Sequence, residues 1–121
     1  MPDLNEITFL LAIEKAQAYH RLNQPDAAEA EYIRALDLAL DVVNAKHFED
    51  GIRLLEKFLM HVEQENYLKS MWGEVTMHLA LCYDVLGNKS KRKKLWKRVM
   101  ELEPENKSLR GIAVRRKWIR K

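Results

Sequence analysis

Apolar residues recur every three or four positions along nearly the whole chain, which is the spacing of amphipathic helices. This pattern predicts six helices, over about Leu4–Leu22, Pro25–Asn44, Phe48–Glu65, Leu68–Leu86 and Ser90–Leu102, and from about Glu105 to the C-terminus. The apolar positions of the first helix include Ile7 and Leu11. Asp3 and Glu6 have the spacing of a capping box, and Gly87 marks the stop of the fourth helix. No segment alternates as a strand does, so the fold is predicted to be all-α.

Few breaking residues and a single cysteine set further limits. The 121 residues include only four glycines and three prolines, which leaves room for long helices with short connections. Cys82 has no second cysteine to pair with, so we expect a cytoplasmic or other reducing compartment. The cytosolic face of a membrane is compatible with the same features. No stretch reaches the roughly 20 apolar residues of a membrane span, and the N-terminus does not read as a signal peptide.

The net charge of +3 conceals a strong asymmetry along the chain. Residues 1–88 hold 7 basic and 15 acidic residues, a net charge of −8, whereas residues 89–121 hold 14 basic and 3 acidic residues, a net charge of +11. Such a split favours a partner of opposite charge at one end, or self-association between the acidic and basic parts. A solvated helix face is the alternative explanation of a charge run.

Residues 73–106 carry a 34-residue pattern. Small residues stand where two helices would cross closely and aromatic residues stand between them, in the order Leu79-Ala80, Tyr83, Gly87, Trp96, Val99 and Pro104. This window resembles the tetratricopeptide repeat (TPR). Thr76 and Arg92 depart from it, since a large apolar residue and an alanine are usual at those two positions. Weaker windows cover residues 9–42 and 32–65. Because they overlap over residues 32–42, either the second helix is shared by two repeats or one of the windows is accidental.

The resemblance implies one domain over residues 1–121, in which antiparallel helix hairpins stack as a short right-handed superhelix. The basic segment 105–121 would form its last helix. A second resemblance is to the soluble domain of mitochondrial fission adaptors. It rests on the six-helix arrangement and on the runs Gly51-Ile52-Arg53-Leu54-Leu55-Glu56 and Glu103-Pro104-Glu105-Asn106.

In the TPR family, the first helix of each repeat lines a concave face that binds protein segments. The resemblance assigns that groove to Glu74, Met77, His78, Leu81, Asp84 and Val85. In the middle window the matching residues are Ile33, Leu36, Asp37, Leu40, Val43 and Asn44. An amphipathic partner helix would suit such a lining. The alternative is that the first or last helix of the chain fills the groove, and for the middle window we favour burial. The positions of the family's carboxylate clamp hold no cation, which argues against a chaperone tail as ligand.

The last third offers a second candidate surface. Its basic residues are Lys91, Arg92, Lys93, Lys94, Lys97, Arg98, Arg110, Arg115, Arg116, Lys117 and Arg120. Beside Trp118 they could contact the phosphates of RNA or DNA and stack on a base, or lie against an anionic membrane. A polar helix that caps the end of the stack is the alternative.

Catalytic chemistry finds no support in the sequence. The four histidines fall on different predicted helices without metal-ligand spacing, and no phosphate-binding glycine loop or nucleophile motif occurs. We therefore expect no enzyme activity and no cofactor. A scaffold, adaptor or assembly chaperone that binds a protein partner is the leading interpretation, with binding of nucleic acid or an anionic membrane as the alternative.

Overall fold

The computed structural model describes residues 4–120, and within that range it contains six α-helices and no strand. The helices are α1 (Leu4–Arg21), α2 (Pro25–Asn44), α3 (Phe48–Glu65), α4 (Lys69–Val85), α5 (Lys89–Leu102) and α6 (Lys107–Arg115). The all-α prediction is confirmed. The predicted capping box depends on Asp3, which lies outside the described residues.

Five of these helices end in the same way, with one residue in the left-handed conformation just past the helix. These residues are Asn23, Lys46, Asn66, Gly87 and Lys117, with φ between 58° and 79°. After α4, for example, the Gly87 N–H donates to the Asp84 carbonyl and the Asn88 N–H to the Tyr83 carbonyl. This pair of bonds is the Schellman motif, which satisfies the last carbonyls and reverses the chain. Asn88 then caps α5, because its side chain accepts the Lys91 N–H at 3.1 Å.

The sixth helix is shorter than the sequence pattern predicts. It begins at Lys107 because the Asn106 side chain caps it, accepting the Leu109 N–H at 3.0 Å. It ends at Arg115 because Lys117 is left-handed and the Trp118 N–H turns back to the Ala113 carbonyl at 2.9 Å. The prediction of one helix from Glu105 to the C-terminus is therefore wrong, and Trp118 folds back instead of extending the helix.

Successive helices pack as a zigzag, in which each of α1 to α4 lies against the next helix and α1 also contacts α3. The closest pairs are α1 with α2 and α4 with α5, which are the hairpins of the windows 9–42 and 73–106. The second helix therefore packs chiefly with the first, although it also approaches α3 closely at Gly51. A Cβ added there would lie 2.4 Å from Cγ2 of Val43, so only glycine fits this crossing without rearrangement.

Two apolar clusters hold the stack together and meet at α4. The larger one joins α1 to α4 around Tyr32, which is fully buried and packs edge-on against Phe58 with ring centroids 6.3 Å apart. The hydroxyl of Tyr32 donates to Glu65 at 2.5 Å, so this buried polar group is satisfied. The smaller cluster joins α4, α5 and α6 around Met77, Val99 and Leu109.

A substitution at Gly87 tests how much the left-handed residues at the helix ends contribute to the stability of the fold. A Cβ at this position meets nothing within 4 Å, so a Gly87→Ala substitution changes only the conformational preference of the backbone. Because alanine disfavours φ of +79°, we expect a loss of about 1 kcal/mol in the free energy of unfolding, measured by urea denaturation.

Lys46→Gly is the matched substitution in the opposite direction, since Lys46 has a φ of 68°. It should raise the free energy of unfolding by roughly 0.5 to 1 kcal/mol, after the greater freedom of glycine in the unfolded chain is subtracted. If the two substitutions shifted stability in the same direction, the left-handed turns would not be the cause.

Candidate functional site

The predicted groove on α4 divides into an open half and a covered half. Glu74, His78, Leu81 and Val85 follow one another at spacings of four, three and four residues, so they share one helix face. Glu74 and Val85 are exposed, and His78 and Leu81 are partly buried. We refer to these four residues as the α4 strip.

Met77, from the same prediction, is only 2% exposed. It packs in the smaller cluster with Val99 and Leu109, and Ile112 and Trp118 close over them. The last helix therefore covers this half of the groove. This is the alternative in which a helix of the chain itself fills the groove. Met77 is a core residue, and a partner could reach it only if α6 moved.

Asp84, the last predicted groove residue, is held by α6. Its Oδ2 atom accepts a hydrogen bond from Nε of Arg116 at 2.9 Å and a second one from Nη2 of the same guanidinium. Two N–H donors of one guanidinium thus converge on a single carboxylate oxygen and form a charge-assisted pair. This contact fastens the end of α6 to the end of α4.

Arg92 and Trp118 form a second fastening between α5 and the segment after α6. The guanidinium carbon of Arg92 lies 5.1 Å from the centroid of the Trp118 ring, within the range of a cation–π contact. Trp118 also meets Trp96 edge-on, with ring centroids 6.0 Å apart. Arg92 is 9% exposed, so this member of the predicted basic surface is buried, and the α4–α5 packing tolerates it where alanine is usual.

The candidate groove residues of the middle window are only partly buried. Leu36 is 3% exposed and belongs to the larger cluster, and Leu40 and Val43 pack against that cluster. Ile33, by contrast, is 41% exposed, and Asp37 and Asn44 are exposed as well. This face of α2 thus presents one apolar side chain among polar ones.

The outer face of α5 is cationic. Lys91, Lys93, Lys94 and Lys97 are exposed, and within residues 4–120 none of their ammonium groups forms an ion pair. We call these four residues the lysine face. The arginines of the predicted surface differ from these lysines. Arg98 pairs with Glu63 at 3.3 Å and Glu101 at 3.6 Å, and Arg110 donates to the Pro104 carbonyl at 3.2 Å. Arg115, Lys117 and Arg120 are exposed at the end of the described chain.

Polar contacts between α1 and α3 are a feature that sequence reasoning missed. Arg53 binds Glu6 through Nη2 at 3.0 Å and through Nε at 3.2 Å. Further along, Nε2 of Gln17 donates to Nδ1 of His61 at 3.0 Å. No short-range pattern signals these pairs, because the partners are more than forty residues apart.

A second missed feature is the exposed apolar stripe of α1. Leu4, Ile7 and Leu11 are 75%, 41% and 51% exposed, whereas Phe9 and Ile13 are buried. Ile7 and Leu11, two apolar positions of the predicted first helix, therefore lie on its exposed side. The first helix is apolar around much of its circumference, so periodicity alone does not select the buried side.

The described residues offer little for catalysis. Cys82 is 1% exposed, and burial raises the pKa of its thiol to about 11, so the reactive thiolate is scarce at neutral pH. Within residues 4–120 no group of three or more histidine, cysteine or acidic side chains has the geometry to hold a metal ion. In the same range, no helix combines the length and hydrophobicity needed to cross a membrane.

Comparisons with known proteins connect the chain to one solved structure. The N-terminal domain of stress-induced protein-1 (STI-1) from C. elegans superposes with a TM-score of 0.58 at 10% sequence identity, over 96% of this chain and 99% of that one. That neighbour is a domain of the TPR type, so the likeness supports a TPR-like fold. No protein-family model matches the chain, and no curated protein does.

The lowered pKa values of two histidines lead us to expect that the free energy of unfolding depends on pH. Burial lowers the pKa of His61 and, against the opposing effect of Glu74, that of His78. The amide nitrogen of Gln17 can only donate, so its bond to His61 requires an unprotonated ring nitrogen. The unfolded chain therefore takes up protons first as the pH falls through about 6.5, and the free energy of unfolding should decrease from there downward.

Urea denaturation between about pH 7 and pH 5 measures this effect, and a His61→Gln/His78→Gln variant provides the comparison. The variant should lose part of the decrease seen in the wild type, while carboxylate titration remains in both proteins. An identical pH profile for the two proteins would show that the histidines do not contribute.

Proposed function

We propose that this protein is a protein-binding scaffold of the TPR-like class, without catalytic activity, which docks an amphipathic helix of a partner along the α4 strip. The function is proposed for a reducing compartment, in keeping with the lone Cys82. An adaptor and an assembly chaperone are both consistent with this mode of action.

The α4 strip is the observation that carries the proposal. It combines an exposed apolar residue, Val85, and a partly buried one, Leu81, with a carboxylate and an imidazole on one helix face. A partner helix that lies in such a groove is recognised by apolar anchors at spacings of three and four residues, with polar contacts that set its register. The lack of a catalytic arrangement among the described residues, noted above, is consistent with a binding role.

The test is site-specific cross-linking in an extract of the source cells. A photoreactive phenylalanine analogue placed at position 78 or 85 should cross-link one defined polypeptide, which is then produced in recombinant form and tested for direct binding. The same analogue at Lys15, an exposed residue of α1, is the positional control and should not give that product.

Substitution provides the quantitative arm of this test. Val85→Glu should weaken binding of the recombinant partner by about tenfold or more, because a charge would replace an apolar anchor of the interface. Leu22→Glu is the matched control, since Leu22 is an equally apolar side chain that is 65% exposed outside the strip. Equal losses for both variants, or for neither, would contradict binding at the α4 strip.

A second candidate function is electrostatic binding of a polyanion, such as RNA or DNA, by the lysine face. The specific observation is that four neighbouring ammonium groups on α5 lack intramolecular partners in the described part of the chain. They begin at the N-terminal end of the helix, where positive charge opposes the macrodipole, so an anionic partner there would relieve an unfavourable arrangement.

The surroundings of the lysine face restrict its mode of binding. None of the exposed large apolar residues among residues 4–120 lies on α5 or α6, and Trp118 is packed against Arg92 and Trp96. Without an exposed aromatic ring there is no platform for base stacking, and without an exposed apolar side chain there is none to insert into a bilayer. Contact would be confined to phosphates, which favours sequence-independent binding.

Salt dependence tests this second function. A single-stranded RNA should bind at low salt, and its affinity should fall as salt rises, with a logarithmic slope of about −0.7 for each phosphate contact. Changing Lys91, Lys93, Lys94 and Lys97 to glutamine should flatten that slope. Changing Lys15, Lys46, Lys57 and Lys69, which removes the same charge elsewhere, should not. Vesicles with anionic headgroups serve as the parallel probe for a membrane surface.

A further inference from the structure

The last helix occupies the apolar surface beside the α4 strip through a small set of side chains. Leu109 is 7% exposed and Ala113 is fully buried, and both lie on the face of α6 that meets α4 and α5. Ile112 and Trp118 complete the contact. Ile112 and Ala113 follow Leu109 by three and four residues, which are the spacings of an amphipathic helix that lies in a groove.

The attachment of α6 differs from that of the other helices. In the described part of the chain, no pair that includes α6 belongs to the closely packed helix pairs, so α6 is held mainly by side chains. With nine residues it is also shorter than the roughly 12 to 15 residues that an isolated helix needs in water. Its helical state therefore depends on docking, and undocking would also unwind it.

Polar groups around this contact remain unpaired. Four buried side-chain N or O atoms among the described residues have no hydrogen-bond partner, and two of them lie at this contact: Nε of Arg92 and Nε1 of Trp118. The contact between α6 and the surface formed by α4 and α5 thus lacks hydrogen bonds that its buried polar groups could form, whereas buried polar groups in well-matched interfaces are hydrogen-bonded.

We propose that α6 is an internal substitute for the partner helix, and that a partner gains the full groove of α4 and α5 by displacing it. This inference rests on the proposed function and names the chemistry of the partner. The partner helix carries two aliphatic residues spaced as Leu109 and Ile112 are. It also carries a basic residue that pairs with Asp84 in place of Arg116.

A carboxylate on the same partner completes the match. When Trp118 leaves, the guanidinium of Arg92 is uncovered, with an Nε–H that has no acceptor in the closed state. Carboxylates are the preferred partners of a guanidinium, because two oxygens accept two parallel N–H bonds. The basic residue at Asp84 and the acidic residue at Arg92 together fix the direction of the partner helix.

The experiment weakens the chain's own α6 and supplies a replacement. A fluorescein-labelled peptide of residues 105–121 is the probe, and the receptors are the full-length wild type and the full-length Arg116→Glu/Trp118→Ala variant. Since the peptide retains Arg116 and Trp118, it can still pair with Asp84 and Arg92. Its binding to the variant should be at least about tenfold tighter than to the wild type, whose own helix competes at high effective concentration.

A peptide with Leu109→Asp and Ile112→Asp is the control and should bind neither receptor. Equal affinity of the probe for both receptors would overturn the proposal, and so would the absence of binding to the variant. Dimerisation of the variant without a gain in peptide affinity would also overturn it, because a second copy would then be the occupant.

Hydrogen exchange on the unmodified wild type keeps the proposal falsifiable if the double variant does not fold. Amides of α6 should exchange faster than those of α4, and α6 amides that exchange only with global unfolding would contradict a displaceable helix. The proposed function is tested separately by the cross-linked partner. If that partner bound wild type and variant equally, displacement by α6 would fail while the scaffold function stood. If no partner were found, the peptide assay would still decide the role of α6.

Discussion

The left-handed residue after a helix is the constraint on which the stack depends. At the ends of α1, α2, α3 and α4 it turns the chain within a connection of three residues, so the next helix begins where it can pack antiparallel to the last. The end of α5 is different. Its cap, Glu103, has a φ of −139°, and Pro104 follows directly. This one hairpin, between α5 and α6, lacks the tight turn, and α6 is the helix without close backbone packing.

Much of this organisation could be predicted because its signals are local. Asn23 and Gly87 belong to residue types that readily adopt the left-handed conformation, and Pro25 suits a first helical turn, so the end of α1, the start of α2 and the end of α4 were accessible from the sequence. Lys46 and Lys117 carry no such signal, because a lysine in this conformation is held there by the surrounding structure. The early end of α6 was therefore missed, and with it the return of Trp118 toward α5.

The candidate site was predictable to the extent that it depends on helix geometry. Spacing identifies which residues of α4 share a face, but it does not reveal that a helix thirty residues later covers Met77 and Asp84. The burial of Arg92 could not be predicted from the sequence for a related reason. A long side chain can cover apolar surface and present its charge to an aromatic ring, and that ring comes from the far end of the chain. Long-range pairs of this kind leave no pattern in a single sequence.

The two kinds of cation in the basic third have different physical roles. Arg92 contacts the ring of Trp118, beyond the end of α6, and Arg98 and Arg116 pair with carboxylates of other helices. The planar, multiply donating guanidinium suits such directional contacts, whereas the ammonium of lysine is a strongly hydrated point charge. The lysines accordingly remain in solvent on α5. Part of the excess positive charge therefore fastens helices, and the remainder is free to act on a partner. Since Arg92 and Arg116 both hold the segment that covers the groove, displacing α6 would convert two structural cations into available ones. The proposed groove and the basic part of the chain would in this way be physically coupled through one short helix.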